Sequence, residues 1–342
     1  MKVAMYYNNS DVRVEEMPVP EIGDDELLVK VMACGICGSD VMEWYRIKKA
    51  PRVLGHEMAG EIVKVGKKVK NFSEGDRVFV SHHVPCGECR YCLNGQETLC
   101  DTLRSTNFYP GGFSQYLRVP AINVEKGTFL LPQNMSYEQA VFIEPLGCVV
   151  RGLRIAEFKK GQSILIIGSG ITGLLHVKLA KAMGASRIIT TDINPFRLEK
   201  AREYGAHATL LANDPNLEKK IREANNGMLP DFISICTGAP PAFKQAFELI
   251  GRGGTILLFA PAEPGVEIPF PIFDLWHDGV TIKSTYAASP SDLQEAIDLI
   301  ASGKIKVEDM ITHRLSIDKA GEGFKLVAEA KDSIKVIIEP WR

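Results

Sequence analysis

The stretch "ILIIGSGITGLLHVKLAKAMG", residues 164–184, constrains the fold more than any other part of the chain. It places Gly168, Gly170 and Gly173 between an apolar β-branched run and an amphipathic helical pattern. In this context the first glycine permits a tight turn, the second lets a pyrophosphate approach the backbone, and the third lets helix and strand pack closely. The N–H groups that open the helix would face the phosphates. The pattern predicts a dinucleotide site, and a glycine turn without a ligand is the alternative.

An acidic residue follows at the spacing that such a site requires. The strand-like run "RIITTD" ends in Asp192, nineteen residues after Gly173. A carboxylate there accepts hydrogen bonds from the adenosine ribose hydroxyls and repels a 2′-phosphate, which favours NAD over NADP. Arg197 follows closely, and it can stack on adenine or meet a 2′-phosphate. We therefore expect NAD as the cofactor.

The order of predicted elements changes along the chain. Up to about residue 145, short strand-like runs alternate with Gly/Pro/Asp turns, which predicts a β-rich domain; these runs are "ELLVKVMACG", "EMAGEIVKVGKKV", "DRVFVSH" and "FSQYLRVP". From about 160 to 285, strands alternate with helical patterns, which predicts a parallel sheet covered on both faces; these strands are "SILIIG", "RIITTD", "FISICTG", "GGTILLFA" and "VTIKSTY". A helix "SDLQEAIDLIASG" and a strand "SIKVIIEP" then return to the first domain.

Four of the eight cysteines lie in the segment "VPCGECRYCLNGQETLC". Cys86, Cys89, Cys92 and Cys100 follow the spacing C-x2-C-x2-C-x7-C. Four thiolates around Zn²⁺ form a closed tetrahedral site with no open position for a substrate, so we expect a structural zinc. An iron–sulfur cluster and two disulfides are the alternatives. His82 and His83 precede this lobe, and we expect them to be loop residues rather than ligands.

Composition limits the classes of function. The 342 residues are 45% hydrophobic and 24% charged, with a formal net charge of −2, which predicts a globular chain and gives no indication of nucleic acid or an anionic membrane as partner. The N-terminus has neither an apolar core nor a cleavage site of a signal peptide. We expect a cytoplasmic protein, and a reducing cytosol favours metal over disulfide for the clustered thiols.

Short segments elsewhere carry a second set of metal-ligating side chains. They are "ACGICGSD" with Cys34 and Cys37, "LGHEMAG" with His56 and Glu57, and "FIEPLGC" with Glu144 and Cys148. Mixed Cys, His and Glu ligands suit an open, catalytic zinc.

Taken in order along the chain, "CGICGSD", "GHE-x-x-G", the four-cysteine lobe, "EPL" and "GSGITG" resemble the zinc-dependent medium-chain alcohol and polyol dehydrogenases. The resemblance covers the whole chain and is closest to the sorbitol (L-iditol) and L-threonine dehydrogenase branches. It implies an α/β protein with a GroES-like β-rich catalytic domain and a Rossmann domain with a doubly wound parallel sheet. The implied limits are 1–148 for the catalytic domain with its zinc lobe at 84–102, 149–288 for the Rossmann domain, and 289–342 for the return to the catalytic domain.

The resemblance also assigns roles at the second metal site. Cys37, His56 and Glu57 would bind the catalytic zinc, and Cys34 would be a buried thiol. Glu144 stands where simple alcohol dehydrogenases place a cysteine ligand, and it would bind zinc directly or through water. Ser39 occupies the place of the hydroxyl that relays the substrate proton.

The same resemblance implies two zinc ions per chain, NAD, and a set of cofactor contacts. These contacts are Gly168, Gly170, Ile171, Thr172, Gly173, Asp192, Arg197, Thr237, Phe259, Ala260, Pro261, Thr285 and Tyr286.

The expected reaction is hydride transfer from a secondary alcohol, a polyol or a sugar-derived alcohol, to NAD by a homodimer or homotetramer joined through the Rossmann domain. An L-threonine-type amino-alcohol dehydrogenase and, more remotely, a non-enzymatic zinc-ribbon protein are the alternatives.

Three positions depart from the sequences of the related branches. Met42 replaces a histidine common to both, Glu144-Pro145 replaces the Asp-Pro of threonine enzymes, and "KSTYAASPSD" lacks an arginine of animal sorbitol dehydrogenases.

Overall fold

The computed structural model describes all 342 residues, which divide into two compact units. The first unit comprises Met1–Gly147 together with Ala287–Arg342, and the second comprises Cys148–Tyr286. The second unit is thus an insertion within the first, which is built from both ends of the chain.

The N-terminal part of the first unit contains mainly short elements. Its strands are β1 (Lys2–Asn8), β2 (Asp11–Glu16), β3 (Leu27–Gly35), β4 (Arg52–Val53), β5 (Glu57–Val65), β6 (Arg77–Val80), β7 (Tyr116–Val119) and β8 (Thr128–Leu130). Its helices are α1 (Glu43–Arg46), α2 (Arg90–Leu93), α3 (Asp101–Ser105), α4 (Ala121–Gly127) and α5 (Tyr137–Ala140), and α6 (Ile143–Ile155) continues into the second unit.

The second unit alternates strands and helices. Its elements are β9 (Ser163–Ile167), α7 (Ile171–Ala182), β10 (Arg187–Asp192), α8 (Pro195–Tyr204), β11 (Ala208–Leu211), α9 (Leu217–Ala224), β12 (Phe232–Ile235), α10 (Pro240–Leu249), β13 (Thr255–Leu258), α11 (Ile272–His277) and β14 (Thr281–Ser284). The six strands are parallel in the order β11-β10-β9-β12-β13-β14. This is the doubly wound order of dinucleotide-binding domains, so the predicted fold class is confirmed.

The apolar strand β9 lies inside this sheet between β10 and β12, and every one of its residues is buried. Leu165, Ile233 and Ile256 belong to its core, and they come from three strands that the sequence predicts. Strand β11, "ATLL", is absent from the sequence-based expectation. It pairs only with β10 at the edge of the sheet and is partly exposed, so its residues lack the continuous apolar run of a central strand.

The C-terminal segment completes the first unit. It contains α12 (Pro290–Ala301), β15 (Ile311–Ser316), α13 (Ala320–Glu329) and β16 (Lys335–Glu339). Strand β16 runs parallel to β15 and antiparallel to β3, and it extends a seven-stranded sheet of order β15-β16-β3-β5-β6-β8 in which β7 also pairs with β3.

The register of this sheet brings distant parts of the sequence together. Gly35, the last residue of β3, pairs with Glu57 on one side and with Ile337 on the other. The first residue of β5 and the start of β16 therefore lie on either side of this glycine.

None of the helices combines the length and the apolar character needed to span a bilayer.

Candidate active site and zinc sites

The four cysteines of the lobe surround one point. Their sulfur atoms lie within 4.8 Å of one another, and three of the separations are 3.6 Å for Cys86–Cys100, 3.6 Å for Cys89–Cys92 and 3.9 Å for Cys86–Cys92. A tetrahedron with Zn–S bonds of about 2.3 Å has edges of about 3.8 Å. The lobe therefore fits a single zinc ion.

The same distances weigh against the other two explanations. A disulfide requires sulfur atoms about 2.0 Å apart, and none of the eight cysteines of the chain forms a disulfide. The sulfur atoms are too close together to enclose a cluster of several iron atoms. Backbone N–H groups of Glu88 and Cys89 donate to Cys86 Sγ and lower the pKa of that thiol, which favours the thiolate that a metal requires.

A second group of ligands lies in the same unit. Cys37, His56 and Glu57 place one ligand atom each within 4.8 Å of the others. Cys37 caps the 3₁₀ turn Gly38–Val41, His56 immediately precedes β5, and Glu57 begins that strand. Two loops and a strand end thus bring together three residue types that bind zinc in open sites.

A buried aspartate orients the histidine. Asp40 Oδ1 lies 3.4 Å from His56 Nδ1, and Asp40 Oδ2 accepts a hydrogen bond from the Cys37 amide at 3.1 Å. Burial lowers the pKa of His56, but attraction to Asp40 and Cys37 outweighs it and raises the pKa well above its usual value. A carboxylate at one ring nitrogen fixes the orientation of the imidazole and leaves the other nitrogen for a metal.

A buried lysine neutralises the glutamate. Lys335 Nζ lies 2.5 Å from Glu57 Oε2, and both side chains are almost completely buried. Burial lowers the pKa of Lys335, but the charges of Glu57, Cys37 and Glu144 raise it above its usual value. The pair fits only because a glycine lies between the two strands. A Cβ on Gly35 would be 2.3 Å from Glu57 Oε2.

The second oxygen of Glu57 supplies the test of whether a metal fits. Glu57 Oε1 is buried and has no hydrogen-bond partner. Such an orphaned charged oxygen is costly in a protein interior unless a cation completes its environment. Together with Cys37 and His56 it offers the donor set of a zinc site with a remaining open position.

Glu144 and Ser39 lie at the margin of this group. Glu144 is buried with 9% exposure and is not one of the three ligands that cluster. Ser39 donates its amide to Cys37 Sγ at 3.4 Å, and its hydroxyl accepts a hydrogen bond of 3.0 Å from Arg46 Nη2. Their roles therefore stay predictions.

Two histidines lie closer to this site than the sequence indicates. His82 and His83 occupy the loop after β6, and the ring of His82 is 4.8 Å from that of His56 and 3.7 Å from that of His83. Burial, followed by the neighbouring rings of His83 and His56, lowers the pKa of His82 well below its usual value. They are neutral, polar neighbours of the candidate metal site.

The glycine turn of the second unit has the geometry of a phosphate loop. Gly168 follows β9 with φ of +97°, a conformation that favours glycine. A Cβ on Gly173 would lie 1.9 Å from Gly168 O, so only glycine lets α7 begin this close to the strand. Around Gly170, in contrast, Arg197 Nη1 at 3.9 Å is the only atom within 4 Å of a hypothetical Cβ. This open space next to a helix N-terminus suits a pyrophosphate.

The carboxylate of Asp192 stabilises this turn through hydrogen bonds. Asp192 Oδ2 accepts the Ser169 amide at 2.7 Å, and Oδ1 accepts the Asn194 amide at 2.8 Å. Each carboxylate oxygen has further lone-pair capacity for a ribose hydroxyl. Arg197, which approaches Gly170, has a buried Nε without a partner.

Most of the remaining cofactor candidates follow the carboxyl ends of parallel strands. Ile171 and Thr172 open α7, and the others are Thr237 after β12, Phe259, Ala260 and Pro261 after β13, and Thr285 and Tyr286 after β14. Ligands of open α/β sheets bind at this edge. Thr285 Oγ1 is buried there without a hydrogen-bond partner.

Comparisons with known proteins agree with this architecture. The profile "Alcohol dehydrogenase GroES-like domain" matches residues 23–133, and "Zinc-binding dehydrogenase" matches residues 172–302. The sorbitol dehydrogenase of Bacillus subtilis is 32% identical over 352 residues, which covers 100% of this chain and 98% of that protein. The D-xylulose reductase A of Aspergillus oryzae is 32% identical over 340 residues, covering 96% and 93%.

A solved structure shares the whole fold. A zinc-binding dehydrogenase from Sinorhizobium meliloti, crystallised with NADP, superposes with a TM-score of 0.89 at 29% identity and covers 99% of both chains. The chain belongs to the zinc-dependent medium-chain dehydrogenase family. The predicted family and enzyme class are confirmed, and the zinc-ribbon alternative loses its basis.

The packing around Gly35 generates a prediction. Gly35→Ala should separate Glu57 from Lys335 and lower the free energy of unfolding by about 2 kcal/mol or more, because the new methyl group overlaps a buried ion pair. The melting temperature should fall, and so should the amount of bound zinc measured by mass spectrometry. Gly38→Ala is the control, since a Cβ there meets nothing within 4 Å. Equal melting temperatures for the two variants would contradict the proposed packing.

Proposed function

We propose that this chain transfers hydride from a secondary alcohol of a polyol or sugar-derived alcohol to NAD, with one catalytic and one structural zinc. The observation that carries the proposal is the buried, unpartnered Glu57 Oε1 beside Cys37 and His56. The polyol class is supported by relatives named sorbitol dehydrogenase and D-xylulose reductase that match along almost their full length.

The residues of the first unit would bind and orient the alcohol. Zinc, when bound by Cys37, His56 and Glu57, supplies a Lewis acid that polarises the alcohol oxygen and lowers its pKa. Ser39 would relay the alcohol proton, taking it on its oxygen while passing its own hydroxyl proton outward, and the hydrogen bond from Arg46 Nη2 would hold that oxygen in place. With Met42 in place of histidine, the proton leaves Ser39 toward water rather than through an imidazole.

The second unit would hold the dinucleotide, and Asp192 is the basis for expecting NAD. Asp192 is 7% exposed at the end of β10, and its carboxylate accepts hydrogen bonds from two backbone amides. A buried carboxylate at this place repels a 2′-phosphate. The Sinorhizobium protein holds NADP, so membership of the family does not decide between the two cofactors, and the proposal of NAD rests on the local charge of Asp192.

The second unit also carries the surface expected for self-association. On α11, Ile272, Phe273 and Trp276 are 71%, 69% and 73% exposed. The adjacent β14 is an edge strand of the parallel sheet. Exposed apolar clusters of this kind mark protein interfaces, and an open strand edge pairs readily with another chain. We infer a homo-oligomer built through these elements, and a cytoplasmic location in which the eight thiols stay reduced.

The two zinc sites should respond differently to the same chemical change. Cys37→Ser should remove one of two zinc ions and lower turnover by at least about a thousandfold, while the protein stays folded and binds NADH. Cys92→Ser should also remove one zinc but lower the melting temperature by roughly 5 °C or more, because the closed thiolate site contributes to folding. Mass spectrometry, melting and NADH fluorescence on both variants check this.

Either site assignment can fail separately. Near-normal turnover by a Cys37→Ser enzyme with a single zinc would remove the catalytic role of the metal. Unchanged zinc content and melting in Cys92→Ser would remove the structural zinc.

The cofactor preference depends on the charge of Asp192. Asp192→Asn should lower the ratio of kcat/KM for NAD to kcat/KM for NADP by at least about tenfold, because the repulsion of a 2′-phosphate disappears. One acceptor oxygen remains for the hydrogen bonds of the loop. Asp192→Ala should also weaken the loop. Initial rates with both cofactors measure the ratio, and a wild-type preference for NADP would show that Arg197 dominates.

The oligomer depends on the apolar face of α11. Trp276→Glu should shift the mass measured by light scattering from two or four chains toward one, because the charge would be buried in the interface. Met228→Glu, at another exposed position of the same unit, is the control and should leave the mass unchanged. A wild-type protein that is monomeric at micromolar concentration would refute the interface.

A further inference from the structure

A completely buried histidine lies next to the glycine turn of the second unit. His176 is in the second turn of α7 and has no exposed surface. Its Nδ1 lies 2.8 Å from Thr172 O in the first turn of the helix, and because a carbonyl oxygen only accepts, Nδ1 carries the proton. Nε2 is then an acceptor, and Ser234 Oγ donates to it at 3.0 Å. Burial lowers the pKa of His176 to about 4, so the ring is neutral and two hydrogen bonds fix its tautomer.

The two partners of this ring belong to different halves of the parallel sheet. The strand order β11-β10-β9-β12-β13-β14 reverses between β9 and β12, and sheets of this topology bind one mononucleotide of a dinucleotide on each side of the reversal. We call β9 to β11 with α7 and α8 the adenosine half, because it contains Asp192, and β12 to β14 the nicotinamide half. Thr172 lies in the adenosine half and Ser234, on β12, in the nicotinamide half. His176 therefore connects the two halves by hydrogen bonds.

The same ring contacts two segments that follow strands of the nicotinamide half. Cys236 follows β12, and its Sγ lies 3.5 Å from His176 Nδ1. Phe259 follows β13, and its ring lies perpendicular to the imidazole with 4.7 Å between the centroids. Burial raises the pKa of Cys236 to about 12, so this thiol stays protonated and contributes packing rather than chemistry. Phe259 and Thr237, the neighbour of Cys236, are among the cofactor contacts expected from the sequence.

The glycine turn itself packs onto the end of β12. A Cβ on Gly168 would lie 3.2 Å from the backbone of Cys236 and 3.2 Å from Thr237 Cβ. The amide of Cys236 also donates to the carbonyl of Ile167, the last residue of β9, at 2.8 Å. Because the contact is this close, a small shift of α7 relative to β12 would move the helix N-terminus away from the loops after β12 and β13.

We propose that His176 is a positioning residue for the dinucleotide, which fixes the start of α7 relative to the ends of β12 and β13 so that one ligand can bind across both halves. This inference rests on the proposed function, because it concerns the dinucleotide site proposed above. Asp192 and the glycine turn both lie in the adenosine half, so their mutual position does not depend on the connection through His176. Loss of that connection should weaken a ligand that spans both halves and spare a ligand confined to the adenosine half.

Binding of NADH and of AMP to the zinc-loaded protein tests the inference. NADH spans both halves, and AMP occupies only the adenosine half. His176→Leu should raise the Kd of NADH, measured by isothermal titration calorimetry, by about tenfold or more, while the Kd of AMP changes by less than about twofold. Ser234→Ala removes one hydrogen bond and little volume, so it decides the question if His176→Leu does not fold. It should raise the Kd of NADH by about threefold or more.

A conservative variant and a control separate positioning from general packing. His176→Gln should recover part of the NADH affinity, because its amide oxygen can still accept a hydrogen bond from Ser234 Oγ. Leu179→Ala is the control, since Leu179 is 3% exposed on the same helix and lies further from the glycine turn. This substitution should lower the melting temperature and leave the ratio of the two Kd values unchanged.

The results that would overturn the inference differ from those that would overturn the reaction. Unchanged NADH affinity in both His176→Leu and Ser234→Ala would remove His176 from cofactor binding. An equal loss of NADH and AMP affinity, or a selective loss of NADH affinity in Leu179→Ala, would show that the substitutions act through general packing and would equally overturn the inference. Wild-type protein that binds NADH but oxidises no alcohol would overturn the proposed reaction and leave the inference standing, whereas wild-type protein that binds no NADH would overturn both.

Discussion

The ion pair between Glu57 and Lys335 determines how the first unit is put together. Its partners are 278 residues apart in the chain and meet because β5 and β16 both flank the end of β3. Separating a buried pair typically costs about 3 to 5 kcal/mol, since one charge remains uncompensated. The C-terminal strand is therefore an integral part of the first unit. It supplies the lysine that pairs with a buried glutamate inside the sheet, and the other oxygen of that glutamate is left without a hydrogen-bond partner.

The parts of the fold that the sequence predicts are those whose chemistry is local. The glycine turn, the acid at the end of β10 and the cysteine spacing each lie within one short segment, and their geometry follows from that segment alone. Strands β9, β12 and β13 are predictable because central parallel strands are continuous apolar runs. Edge strand β11 has no such run, and its existence depends on pairing with β10.

The parts that sequence reasoning misses are those that depend on pairing across the fold. The signal for Lys335 is a lysine inside the apolar run "SIKVIIEP", which a buried strand tolerates only with a partner, but the run does not identify Glu57 as that partner. Arg52 carries no signal at all. An arginine on a short strand normally faces water, and the burial of its Nε without a hydrogen-bond partner becomes evident only in the folded chain.

The two candidate metal sites differ in what surrounds them, and this difference is consistent with the two roles proposed for zinc. The lobe consists of short turns without a core of their own, so four thiolates brought this close repel one another unless a cation joins them. The site at Glu57 is held by a seven-stranded sheet, a buried lysine and an aspartate that orients the histidine. The surrounding protein holds the candidate ligands in position without a metal. A metal bound there could therefore keep one coordination position for a substrate oxygen.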